Sequence, residues 1–138
     1  MLRRVAVGGV LACMMVAALA TAPTEASTKA AKTTLLRGRT GQQHRVKLRL
    51  SAHSLQLIRF DIELRCRDAS TLIDEESGFA RTPFHRNGSF SEVQTGSTDT
   101  VMIRGHVRGR GVKGRLRVKD RVGKTRCDSH WVQFKAKH

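Results

Sequence analysis

Leu57-Ile58-Arg59-Phe60-Asp61-Ile62-Glu63-Leu64-Arg65-Cys66-Arg67 alternates apolar and charged side chains along its length. Ile58, Phe60, Ile62, Leu64 and Cys66 share one side, while Arg59, Asp61, Glu63, Arg65 and Arg67 share the other. A period of two marks a half-buried β-strand, because successive side chains point to opposite faces. Cys66 is in phase with the apolar face and is therefore expected in the core.

The same period extends outward from this stretch. Residues 44–50 set Val46, Leu48 and Leu50 against Arg45, Lys47 and Arg49, and residues 35–39 form a first strand turned at Gly41. Residues 68–77, which include Asp74-Glu75-Glu76, read as a loop with at most one short strand. Residues 79–85 and 90–94 flank Arg86-Asn87-Gly88, a hairpin signal. A three-residue loop with Gly88 left-handed would bring Phe84 opposite Phe90.

Residues 100–119 form a second hairpin broken at Gly109-Arg110-Gly111. A turn at Arg110-Gly111 sets Val107 opposite Gly114, Gly105 opposite Leu116 and Ile103 opposite Val118. The other face then pairs Arg108 with Lys113, His106 with Arg115 and Arg104 with Arg117. Like charges directly opposite each other destabilise a sheet, so a cationic hairpin face calls for a reason. The last strand, 125–135, turns Cys127, Val132, Phe134 and Ala136 inward only if a bulge near Ser129-His130 shifts the phase; Trp131 is then exposed or partly covered. No helix is expected beyond residue 26. The fold class is all-β: an antiparallel β-sandwich of seven to eight strands. Its expected core is Val46, Leu48, Ile58, Phe60, Ile62, Leu64, Phe90, Ile103, Leu116, Val118 and Phe134.

The first residues supply an address. Met1-Leu2-Arg3-Arg4 precedes an uncharged apolar run from Val5 to Ala20, followed by small residues at the spacing that signal peptidase reads. Residues 1–26 are thus expected to be a secretory signal, 27–32 a flexible leader and 33–138 the β-domain. Two rival readings remain: Val10-Leu11-Ala12-Cys13 loosely resembles a lipobox, and the run approaches the length of a membrane span, as an uncleaved anchor would. Without the signal, Cys66 and Cys127 are the remaining cysteines, and an even count in an exported chain is normally a disulfide.

Charge bears most directly on function. The chain has 26 Lys+Arg against 11 Asp+Glu, and loss of residues 1–26 takes out Arg3, Arg4 and Glu25, lowering the formal charge of +15 by one. Residues 27–53 carry seven basic and no acidic residues, and residues 101–138 carry twelve basic and two acidic. The middle, residues 54–100, carries five basic and eight acidic residues. A positive field of this size favours polyanions.

The pairing of a signal with an Arg-rich strand ending Cys66-Arg67-Asp68, the Asn87-Gly88-Ser89-Phe90 turn, a Gly-rich basic hairpin and a closing stretch from Cys127-Asp128-Ser129-His130-Trp131 to Ala136 resembles uncharacterised exported β-sandwich proteins of bacteria. Proteins of that kind tend to carry Gly where Ala69 and His130 stand. The resemblance implies a fold and an address, and no activity.

Candidate ligand-binding residues are the outward cations Arg45, Lys47, Arg49, Arg104, His106, Arg108, Lys113, Arg115 and Arg117. Their expected partner is an anionic envelope polymer, glycan or lipid surface. Nucleic acid is a weaker expectation, because the chain has no Tyr and its Phe residues are needed inside, leaving Trp131 alone for base stacking. No cofactor is expected, and no two histidines stand at metal-ligand spacing. Asp74-Glu75-Glu76 lacks the interleaved Gly and carbonyl ligands of a calcium loop. The alternatives are a secreted hydrolase, such as a small ribonuclease using His106 and His130 near Lys113, and an adhesive or protein-interaction domain using sheet edges.

Overall fold

The computed structural model describes residues 32–138. The expected signal, and the leader as far as residue 31, lie outside them. The chain forms β1 (Thr34–Thr40), β2 (Arg45–Leu50), β3 (Ser54–Cys66), β4 (Thr71–Ser77) and β5 (Arg81–Pro83), then β6 (Ser89–Thr95), β7 (Asp99–Arg108), β8 (Gly111–Val122), β9 (Thr125–Asp128) and β10 (Val132–Lys137). Every pairing is antiparallel.

The arrangement of these strands corrects the expected sandwich of seven or eight. One ten-stranded sheet runs β10-β1-β2-β3-β9-β8-β7-β6, and β10 also pairs with β8, so β10, β1, β2, β3, β9 and β8 close into a six-stranded barrel. Strands β7 and β6 extend from β8, while β4 and β5 lie along β3 outside the ring. Closure depends on the last strand, which bonds to both β8 and β1 and so ties the two ends of the domain together.

The interior is what the alternation demands. Leu36, Leu48, Phe60, Ile62, Leu64, Leu116 and Val118 are fully enclosed, and Phe79 stacks on Phe60 with ring centroids 5.5 Å apart. Ile58 is the exception among the expected core residues. Lys47 faces Arg59 whereas Leu48 faces Leu57, so β3 bulges at Ile58, leaving it half-buried and turning Leu55 and Leu57 inward. A bulge adds one residue to one strand and thereby reverses the phase beyond it.

A second bulge falls where the inward phase of the last strand requires one. β9 pairs Asp128 with Lys119, while β10 pairs Val132 with Leu116, a one-residue slip across Ser129-His130-Trp131. Ser129 anchors it: its amide donates to the Val118 carbonyl at 2.9 Å, and its hydroxyl accepts from the Val118 amide at 2.9 Å. Cys127, Val132, Phe134 and Ala136 are all buried as a result. Cys66 and Cys127 face each other across β3 and β9 and are disulfide-bonded.

The turns follow their residues with two adjustments. Gly88 has φ 83° in a three-residue loop closed by His85 and Ser89, but β5 then leaves to pair with β3 and β6 with β7, so the expected hairpin ends after that closing pair. In the β7–β8 hairpin the turn is Gly109-Arg110, with Gly109 at φ 56°, as a type II′ turn requires at its first central position. The register is therefore two residues away from the expected one. Residues 68–77 also differ from expectation, since β4 is a full strand along β3. Ala69 and His130 have φ of 64° and 53°. Both turns thus carry a side chain at left-handed angles that glycine adopts more easily.

Candidate functional site

Because strand residues that pair directly point to the same side of a sheet, the ladders show which outward side chains stand together. The two-residue slip in β7–β8 preserves the faces. Arg104 faces Arg115, and His106 faces Lys113. Across the other edge of β8, Lys113 faces Lys135 of β10, which faces Arg39 of β1, which faces Arg45 of β2. This makes one unbroken row, His106–Lys113–Lys135–Arg39–Arg45, across five strands.

A second row lies beside it. Arg108 faces Gly111, Gly111 faces Lys137, Lys137 faces Arg37, Arg37 faces Lys47 and Lys47 faces Arg59. Gly111 interrupts the charge and, together with Val112 and Ala136, forms the floor of an open groove of about 740 Å³ edged by His106, Arg108, Arg110, Lys113, Lys135, Lys137 and His138. No carboxylate of the described residues pairs with Arg37, Arg39, Lys47, Arg108, Lys113, Lys135 or Lys137. The band ends where acids begin: Arg45 Nε lies 3.4 Å from Asp61 Oδ2, and Arg59 pairs with Glu75.

The candidate cations divide unevenly over this surface. Arg45, Lys47, His106, Arg108 and Lys113 belong to the two rows. Arg104 and Arg115 flank them, and Arg104 covers Trp131 with its guanidinium 4.3 Å from the ring centroid. Arg49 faces Leu35 and Gln56, outside both rows. Arg117 is the least available, because its Nε and Nη2 donate to Asp128 at 3.0 and 2.5 Å. That bidentate contact holds the Asp128 carboxyl below its ordinary range, against the opposing effect of burial, and raises the Arg117 guanidinium further. Arg37, Arg39, Lys135 and Lys137, absent from the sequence candidates, form the middle of the band. The outward parity that picked out Arg45 and Lys47 would have found them in β1 and β10.

The histidine pair considered for phosphodiester cleavage is not assembled. His106 lines the groove described above, whereas His130 lines another beside the disulfide with Arg65, Arg67, Lys119, Arg121 and Arg126. His106 faces Lys113 and Ser129 bonds Val118, so the two sites lie five residues, or ~17 Å, apart along β8. Among the described residues no group of three or more His, Cys, Asp or Glu could hold a metal ion.

The acids gather elsewhere. Half-burial, a hydrogen bond with Asp74, and the neighbouring Asp74, Asp99 and Asp120 carboxylates push the Glu76 carboxyl up to about 8, from 4.5. Stability from this group is therefore full below about 4.5 and is lost as the pH rises through 8, because the fold then holds a charge that the unfolded chain carries more easily. Glu76→Gln should melt close to wild type at pH 4.5 and clearly above it at pH 9. Equal melting points at pH 9 would mean that Glu76 ionises freely. No protein-family model and no curated protein matches the chain.

Proposed function

We propose that the protein is a non-catalytic module that holds anionic polymers outside the cytoplasm. The observation that carries this reading is the pair of cationic rows, one crossing five strands and the other six, most of whose members have no acidic partner among the described residues. Lys135 stands directly between Lys113 and Arg39. Each like-charged contact of this kind destabilises the sheet, and a bound anion converts the cost into attraction. The N-terminal export pattern and the disulfide support an extracytoplasmic setting.

Two paired substitutions test the reading at equal loss of charge. Lys113→Gln with Lys135→Gln removes adjacent members of the first row, while Arg81→Gln with Arg86→Gln removes exposed cations of β5 and the following turn. With immobilised long-chain polyphosphate at low salt, the first pair should weaken binding by tenfold or more and the second by less than threefold. Wild-type affinity should also fall steeply with salt, as counterion release requires. Equal binding by both variants would refute the band as the binding surface, and turnover of RNA by the pure protein would point to the hydrolase instead.

A further inference from the structure

We infer that the occupant of the band is a single flexible linear polyanion lying across the strands, rather than a flat membrane or a rigid duplex; this rests on the polyanion reading above. Three features of the surface lead there.

The first is direction. Neighbours in the row His106–Lys113–Lys135–Arg39–Arg45 are each one strand apart, which places a basic side chain every ~4.8 Å over a path of ~19 Å. That is the pattern of a track for a chain with regularly spaced anionic groups, not of a pocket for one ion.

The second is curvature. Four of the five strands carrying the row, β8, β10, β1 and β2, belong to the closed six-stranded ring, so the track follows the convex outside of a barrel. A flat surface touches a convex one along a limited strip. A DNA duplex, with a persistence length of about 150 bp, is stiff on this scale. A flexible chain can bend with the barrel and meet every cation in turn.

The third is chemistry. Arg104 covers Trp131, and neither row contains a Phe, Tyr or Trp. Base stacking, which normally supplements phosphate contacts in single-strand binding, is thus missing from the track. The shared ligand chemistry is a run of phosphates, sulfates or carboxylates on a flexible backbone.

The test uses the full chain and competition against a labelled long polyphosphate. The competitors are polyphosphates of graded length, a polyuronate, phosphatidylglycerol vesicles and a 20-bp DNA duplex. Affinity per chain should climb steeply until the extended competitor spans ~19 Å and then only slowly, and the polyuronate arm shows whether carboxylates serve as well as phosphates. Lys135→Glu, at the middle of the row, should reduce the ratio of long-chain to short-chain affinity by tenfold or more. It should leave the melting point equal or higher, because it relieves two like-charged contacts.

Vesicles or duplex competing as well as the long chain at equal charge, or affinity that levels off at the shortest chains, would overturn the inference while leaving the polyanion reading standing. Failure of every polyanion to bind would overturn both.

Discussion

Replacing Cys66 with serine should lower the thermal midpoint of the oxidised protein by ~15–30 °C. The bridge spans 61 residues, for which the chain-entropy estimate is roughly 4 kcal/mol, and each kcal/mol moves the midpoint of a domain this size by about 4–8 °C. Its position concentrates the effect. β3 and β9 share only two register pairs, Arg65 with Asp128 and Cys66 with Cys127, yet that short contact is one link of the closed ring. Scanning calorimetry should find the reduced wild type and the oxidised Cys66→Ser variant melting together. Free thiols in the folded, oxidised wild type would remove the basis of the prediction.

Gly38→Ala is expected to rival that loss by breaking the ring elsewhere. Gly38 faces Ala136 of β10 on one side and Val46 of β2 on the other. A Cβ there would run into the carbonyl oxygen of Lys135 and stand 2.6 Å from the Cα of Ala136. Both obstacles are backbone, so neither can rotate away. Relief requires parting β1 from β10, whose four register pairs join the domain's first strand to its last. Overpacking usually costs about 1–3 kcal/mol, and the loss of this ladder should bring the total to ~3 kcal/mol or more. Gly41→Ala is the matched control, because its Cβ meets only the Gln133 carbonyl oxygen, at 3.7 Å. Amide exchange should accelerate along β1 and β10 in Gly38→Ala and remain unchanged in Gly41→Ala. A Gly38→Ala protein melting within two or three degrees of wild type would show that the seam tolerates an added methyl group.

The sequence revealed local features more clearly than their assembly. Alternation identified β2, most of β3 and the β7–β8 hairpin, and the phase conflict between Cys127 and Phe134 located a bulge that Ser129 and His130 do form. β4 looks mostly like a loop in the sequence because its half-buried face carries Asp74 and Glu76, acids that a pattern of apolar residues cannot register. Sandwich and barrel were indistinguishable by period, since both bury every second residue. What separates them is the pairing of β10 with β1, a contact between residues nearly a hundred positions apart.

The same non-local pairing explains the incomplete site. The hairpin cations were legible because both of their strands flank one turn. Arg37, Arg39, Lys135 and Lys137 become neighbours only when the ring closes. Arg117 was misleading for a related reason, because its partner Asp128 lies across β8 and β9 and no local pattern links them.

Closure also leaves one side of the barrel without acids. Among the described residues the acids lie on β3, β4, β6 and β9, in the turn at Asp68 and at the far ends of β7 and β8, whereas β1, β2 and β10 carry none. The molecule therefore has a permanent electric dipole in addition to its net charge. As the barrel approaches an anionic filament, the field exerts a torque that turns the cationic side forward before any contact forms, and a larger share of collisions arrives correctly oriented. Association should accordingly be fast at low ionic strength and slow sharply once the Debye length, about 10 Å at 0.1 M salt, becomes shorter than the barrel is wide.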